Sequence, residues 1–155
     1  MRLAEDIAQA ERWALACPGL PSCGLALTEA ERVRDDIVTP VEARLRHHGL
    51  DRERLSIRIT GCPNGCARPY TGDIGIVGRM PGFYSLFVGG DFEGTRLNSQ
   101  LADKVPLNAI AETLNPLFEL FSSSRIAGEG FGDFCHRLGL PALQQAFPER
   151  RKGVA

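Results

Sequence analysis

The sequence predicts an α+β fold, a mixed sheet flanked by helices, on three patterns. Leu55, Ile57 and Ile59 alternate with Ser56, Arg58 and Thr60, the two-residue period of a strand with one buried face. Residues 73–78 and 83–89, separated by Met80-Pro81-Gly82, have the composition of two strands joined by a hairpin turn. Leu107, Ile110, Leu114, Leu117, Phe118 and Phe121 form an apolar stripe at helical spacing over about 107–122.

The remaining elements follow in chain order. Leu3, Ile7, Ala10 and Ala14 recur at roughly helical intervals, so Leu3 to Ala16 reads as a helix ending at the first cysteine. Thr28-Glu29-Ala30-Glu31 matches a capping box, with Thr28 as N-cap and Glu31 reaching back. Thr39-Pro40-Val41-Glu42 repeats that logic, with Pro40 at the first helical position, where its missing N–H costs little. Two short helices are therefore expected, at 29–37 and 40–48, closed by Gly49. The strand over 55–60 runs straight into Gly61-Cys62. Gly75 and Gly78, within or beside a strand, mark close approach of another backbone or a ligand. Pro116 is expected to kink the 107–122 helix. Gly128 to Gly132 reads as a flexible link to a last helix over Asp133–Leu138. Residues 1–147 are expected to form one domain and 148–155 a frayed tail, with no internal repeat.

Composition limits the function. A chain of 155 residues has the size of one ordinary domain, and such a domain buries roughly 68–70% of its unfolded surface. Its hydrophobic content of 43% is that of a globular protein and argues against a disordered tail. With 18 Lys+Arg against 19 Asp+Glu, the formal charge of −1 argues against a phosphate-neutralising, nucleic-acid-binding role. No apolar run approaches the ~18 residues of a membrane span. The opening Met1-Arg2-Leu3-Ala4-Glu5-Asp6 has acids where a secretory signal has an apolar stretch. The expected location is the cytoplasm.

Four of the five cysteines form two close pairs. Cys17-Pro18-Gly19-Leu20-Pro21-Ser22-Cys23 places five residues between its thiols, and Cys62-Pro63-Asn64-Gly65-Cys66 places three. Both linkers are rich in Pro and Gly, so the thiols sit on turns whose backbone can approach a ligand closely. Three readings stand at this point. Structural zinc suits the second spacing but not the first. Two disulfides, or four buried thiols, fit a cytoplasmic chain poorly. A four-thiolate iron–sulfur cluster tolerates both spacings, and Gly-rich loops offer it backbone N–H groups. Cys135, within Phe134-Cys135-His136-Arg137-Leu138, reads as a small buried hydrophobe.

The segments Ala16-Cys17-Pro18-Gly19-Leu20-Pro21-Ser22-Cys23-Gly24-Leu25-Ala26 and Thr60-Gly61-Cys62-Pro63-Asn64-Gly65-Cys66-Ala67-Arg68-Pro69 resemble the cluster-binding region of assimilatory sulfite reductases, within the nitrite/sulfite reductase superfamily. Glu29-Ala30-Glu31-Arg32, Leu86-Phe87-Val88-Gly89-Gly90, Gly94-Thr95-Arg96-Leu97 and Gly130-Phe131-Gly132-Asp133-Phe134-Cys135-His136-Arg137 extend the likeness over about residues 10–145. Gly65, where nitrite reductases usually carry Ser, favours the sulfite branch. Cys66-Ala67-Arg68-Pro69-Tyr70 and the Phe134–Arg137 segment resemble the ferredoxin-dependent type.

The resemblance implies the sirohaem- and 4Fe–4S-binding half of such an enzyme, with Cys17, Cys23, Cys62 and Cys66 as cluster ligands. It implies that Cys66 also bridges to the sirohaem iron as its axial ligand, and that sulfite is reduced to sulfide by six electrons. The implied electron donor is ferredoxin or an NADPH-linked flavoprotein. Asn64 reads as a shaper of the loop or simply as a turn residue. Arg68 offsets cluster charge or pairs with a sirohaem carboxylate, or else forms an ordinary ion pair. Arg96 has the same readings. His47 and His48 are expected in solvent near a helix C-terminus, and His136 reads equally as a core residue or a proton donor. No catalytic residue is assigned. In the family an earlier sirohaem-binding half supplies the Arg and Lys side chains that clamp the anionic substrate. This chain shows no such cluster and is expected to be incomplete on its own. The alternatives are a fragment of a nitrite reductase, or a non-catalytic iron–sulfur or zinc module.

Overall fold

The computed structural model describes residues 7–147. The expected frayed tail at 148–155, and the start of the helix expected from Leu3, lie outside them. Five strands, β1 (Ala14–Ala16), β2 (Ile57–Thr60), β3 (Ile74–Met80), β4 (Phe83–Val88) and β5 (Ser99–Pro106), form one sheet in sequential order. The first three are parallel and the last two antiparallel to their neighbours. Helices α1 (Gln9–Arg12), α2 (Arg34–His47), α3 (Ile110–Ser124), α4 (Phe131–Leu138) and α5 (Leu140–Gln145) complete the described chain. The mixed sheet with flanking helices is the predicted architecture.

Register assigns the faces. Ala16, Ile59, Ile76 and Leu86 line up across the sheet, as do Ile57, Ile74 and Val88, and these rows belong to the main core. Ile37, Val38, Val41 and Leu45 from α2, with Leu114, Leu117, Phe118 and Phe121 from α3, complete that core. The opposite rows are Leu15, Arg58, Gly75, Phe87 and then Thr60, Val77, Ser85. Val77, Cys62 and Ala67 are buried yet lie outside the main core cluster. One sheet face is thus covered by helices and the other by loops. Ser56 and Thr60 are each only 1% exposed, so β2 is buried on both faces rather than on one.

The structure corrects several local expectations. The first helix is a single turn, α1, and Ala14-Leu15-Ala16 is edge strand β1, because pairing with β2 outweighs the weak helical preference of this stretch. The two helices expected at 29–37 and 40–48 are one helix, α2, entered through a 3₁₀ turn at Glu31–Val33. Pro40 lies inside α2 on its exposed side, so the Asp36 carbonyl that loses its N–H partner is on the solvent-exposed side of the helix. Thr28 does not cap a helix; its hydroxyl donates to the Gly61 carbonyl, 3.4 Å away. The stop at Gly49 stands: with φ +71° it lets its own N–H reach Arg46 O and the Leu50 N–H reach Leu45 O. Strand β5 and helix α5 were not expected. In β5 the register against β4 shifts twice and Lys104 has φ +51°, so bulges break the two-residue period by which a strand is recognised. Pro116 lies within α3, and α4 begins two residues earlier than expected.

Candidate metal centre

The first thiol loop leaves the end of β1. The Cys17 N–H donates to Ile59 O, which continues the β1–β2 pairing by one step. The loop is closed by a bridge between Gly19 and Glu29, by Cys23 N–H to Gly19 O, and by Leu20 N–H to Thr28 O. Tyr84, from β4, donates its hydroxyl to Glu29 O at 2.8 Å and fixes the exit of the loop. Gly19 has φ +63°, and a Cβ there would stand 2.5 Å from Ala30 N, so only glycine fits.

The second loop leaves the end of the adjacent strand β2 and packs directly on the first. The Gly61 N–H donates to Cys17 Sγ at 3.2 Å, and the Gly61 carbonyl accepts from the N–H groups of both Leu27 and Thr28. A Cβ on Gly61 would meet Thr28 O at 2.7 Å and Gly19 Cα at 3.1 Å. The two cysteine loops, 44 residues apart at that hydrogen bond, are therefore one packed unit. Within the second loop Gly65 has φ +70° and lies under the Tyr70 ring. The Tyr70 hydroxyl donates to Pro63 O at 2.8 Å, and its ring stacks edge-on against Phe87 at 5.3 Å. Burial, together with the nearby Cys62 thiol, moves the Tyr70 hydroxyl above its ordinary pKa. Asn98 holds the following segment, donating from its side chain to Pro69 O and Gly72 O and from its backbone to Tyr70 O.

All four loop cysteines are free thiols: Cys62 is buried, Cys17 and Cys23 are half-buried and Cys66 is exposed. Among the described residues no three His, Cys, Asp or Glu side chains gather as a single ion requires. Thiolates on one zinc stand within ~3.8 Å of each other, from tetrahedral bonds of ~2.3 Å, and no three described side chains gather in that way. A 4Fe–4S cube asks for something else, one thiolate per iron at separate corners, with N–H groups directed at sulfur. Four free thiols on two touching loops, with a backbone N–H already on Cys17 Sγ, match that donor set.

The sites expected elsewhere divide. Asn64 and Arg68 are exposed on the second loop, Arg68 with φ +56° and its guanidinium 3.4 Å from Gly94 O. Arg96 is occupied structurally: it donates to Gly89 O, Gly90 O and the Asp133 carboxylate. His47 is exposed at the end of α2, whereas His48 is half-buried and bonded to Asn115 at 2.9 Å, not free in solvent. His136 follows the buried Cys135 on α4, and both line a small cavity of about 80 Å³ against Val88 and Leu143. Burial pushes the Cys135 thiol far up, with Asp73 and Glu129 adding repulsion, so it stays protonated and inert.

Three features were missed by sequence reasoning. Arg58 lies on the loop-covered face with its stem against Gly72, and its pKa is lowered by burial and by the neighbouring charge of Arg68. Among the described residues neither Arg58 nor Arg68 has a carboxylate at ion-pair distance, although nine other arginines do. Tyr70 is a strut for the second loop. Asp73, 2% exposed, accepts from Ser56 N, Ser56 Oγ and Gly132 N and so ties β2, β3 and α4 together behind the site. Only the spacing of a charged residue within an apolar run could have signalled Arg58.

Comparison with known proteins decides the family. Residues 8–154 match the family described as nitrite and sulphite reductase 4Fe-4S domain. The chain belongs to this family. It is 52% identical over 136 residues to the sulfite reductase (NADPH) hemoprotein beta-component of Myxococcus xanthus, covering 86% of this chain and 24% of that one. It is 45% identical over 141 residues to the sulfite reductase (ferredoxin) of Synechococcus elongatus, covering 91% and 23%. The structure of the Mycobacterium tuberculosis NirA protein superposes with a TM-score of 0.75 at 26% identity, covering 88% of this chain and 27% of that one. The chain thus spans about a quarter of the length of these relatives. Among the described residues no helix is long and apolar enough to cross a membrane.

Proposed function

We propose that this chain is the cluster- and sirohaem-binding C-terminal part of a sulfite reductase. Cys17, Cys23, Cys62 and Cys66 would ligate one 4Fe–4S cluster, with Cys66 also reaching the sirohaem iron. The observation that carries the reading is the packing of the two thiol loops on each other through Gly61, in a chain of the 4Fe-4S domain family. Exposure of Cys66 beside three buried or half-buried thiols suits a sulfur shared with a second cofactor. When bound, the coupled cofactors supply the electrons that take sulfite to sulfide; six electrons and eight protons give hydrogen sulfide and three waters. The protein's part is to hold four thiolates, direct N–H groups at sulfur and keep the loop in shape through Tyr70.

Arg68 and Asn64, exposed on the second loop on either side of Cys66, would form part of the cofactor environment, and Arg68, with no carboxylate at ion-pair distance, would meet an anionic one. Residues 1–147 act as one unit in this reading, in the cytoplasm, with sulfite as substrate and ferredoxin or an NADPH-linked flavoprotein as electron donor. The remainder of the active site comes from polypeptide outside this chain. Support for that comes from the quarter-length match and from the apolar groups left uncovered on the thiol side, Leu25 at 72%, Leu15 at 46% and Leu27 at 42% exposed.

Anaerobic reconstitution of the full chain with iron and sulfide tests the proposal. About four irons and four acid-labile sulfides per chain are expected, and one zinc with no chromophore would overturn it. Co-expression with the missing polypeptide, followed by turnover on sulfite and on nitrite, separates the sulfite reductase reading from its nitrite reductase alternative.

A further inference from the structure

Two buried side-chain polar atoms have no hydrogen-bond partner among the described residues, Thr60 Oγ1 and Asn98 Oδ1. Buried polar groups are almost always satisfied, because an unpaired one keeps the full penalty of leaving water. The two orphans differ in kind. Asn98 Oδ1 is an acceptor, whereas Thr60 Oγ1 carries a hydroxyl proton and can donate.

Thr60 occupies a special place. It is the last residue of β2, 1% exposed, two positions before Cys62. Its row on the loop-covered face contains Val77 and Ser85, and the Ser85 hydroxyl is already bonded to Asp103. On its other side, extending the β1–β2 register by one step from Ala16–Ile59 places Cys17 beside Thr60. Parallel strands run about 4.8 Å apart, so the backbones of Cys17 and Thr60 are neighbours at this end of the sheet, with Cys17 also packed against the helix-covered core. The Cys17 sulfur is taken by the Gly61 N–H. An unpaired donor therefore stands two residues before Cys62 and next to Cys17 in register, at a place where valine would pack equally well and leave nothing unsatisfied.

We infer that the Thr60 hydroxyl donates a hydrogen bond to a sulfur of the bound iron–sulfur cluster and raises its reduction potential. The inference rests on the cluster reading above. A hydrogen bond to sulfur strengthens as the cluster gains an electron and negative charge, so it favours the reduced form.

The test uses the full chain as wild type, Thr60→Val and Thr60→Ser, each reconstituted anaerobically with ferrous iron and sulfide. The midpoint potential is followed by the electron paramagnetic resonance of the reduced cluster, and the stability of the metal-free proteins by urea. In Thr60→Val the ratio of reduced to oxidised cluster at a fixed ambient potential should fall about tenfold, equivalent to about 59 mV for one electron. Thr60→Ser should return it toward wild type. Metal-free Thr60→Val should be at least as stable as wild type, since it loses an unpaired hydroxyl. An unchanged potential in a Thr60→Val protein that takes up its cluster overturns the inference alone. So does a lower urea midpoint for metal-free Thr60→Val that Thr60→Ser rescues, because the hydroxyl then has a partner without any cluster. A wild-type chain that takes up no iron and sulfide overturns the cluster reading itself.

Discussion

On the helix-covered face of the sheet, Ile57, Ile59, Ile74, Ile76, Leu86 and Val88 are each at most 2% exposed and meet the apolar stripes of α2 and α3. The loop-covered face sets Leu15, Arg58 and Thr60 beside Gly75 and Phe87, and its loops approach through glycines rather than side chains. A Cβ at Gly75 would stand 2.1 Å from Pro69 O. The first face removes hydrocarbon from water at about 25 cal/mol per Å². The second brings backbone against backbone and leaves thiols, two arginines and a hydroxyl with valences to spare. The second thiol loop thus lies across the sheet from most of the apolar core, while Cys17 on the first loop packs against that core, so substitutions in the second loop should change iron uptake more than stability.

The sharpest break of that contrast is a cavity on the helix-covered face. Phe121 is fully buried and its ring meets those of Phe131 and Phe134 at 5.6 and 5.3 Å. Phe121→Ala should lower the unfolding free energy by about 3–5 kcal/mol. Urea denaturation of the metal-free chain measures it, and a loss below about 1 kcal/mol would mean that the aromatic cluster is not where the fold is held.

Gly78→Ala probes the joint between the faces. Its Cβ would stand 2.2 Å from Thr28 Oγ1 and 2.4 Å from Gly61 O, so both thiol loops must shift. Overpacking of this kind costs about 2–3 kcal/mol, and the displaced loops should take up several-fold less iron. Full iron uptake by this variant would show that the loops tolerate separation and that their packing is not what brings the thiols together.

The helix-covered face was the more legible in the sequence, because apolar period is a local signal. Leu55, Ile57 and Ile59 announced β2, and the Leu107 to Phe121 stripe announced α3. Where the expectation failed, tertiary pairing had overridden local pattern: β1 looked helical until β2 was available to pair with it, and the bulged β5 had no regular period to read. Of the candidate site, the thiols and their glycines were visible as spacing. Arg58, Tyr70 and Asp73 were not, because their roles exist only once the sheet register places Pro69 over Gly75 and Gly132 against Asp73.

Asp73 sharpens the comparison by pH. Desolvation raises its pKa above the ordinary 3.8, against the pull of hydrogen bonds from Ser56 and Gly132. The folded state therefore holds this proton more tightly than the unfolded one. The contribution of the group is greatest below the unfolded value and declines as pH rises through the raised folded value. Asp73→Asn removes that titration and turns an amide NH₂ toward a backbone N–H, at a cost of about 1–2 kcal/mol near neutrality. The gap between wild type and variant should narrow from about pH 4 upward and then level off. Urea midpoints across that range check it, and a gap that widens with pH would show that the hydrogen bonds outweigh burial.

The smallest effect on stability should accompany the largest effect on cofactor. Cys66 is exposed, makes no described contact with the helix-covered core and sits at the outer end of its loop. A surface substitution away from caps and core shifts stability by no more than about 0.5 kcal/mol, so metal-free Cys66→Ser should unfold at nearly the wild-type urea concentration. As a proposed cluster ligand it should nonetheless lose most of the iron and sulfide taken up on reconstitution, since a hydroxyl is a poor substitute for a thiolate at iron. The two readouts move together only if the thiol loops are part of what holds the fold. A Cys66→Ser chain that is destabilised as much as Phe121→Ala would erase the separation between the faces, because no buried hydrocarbon is lost at that position.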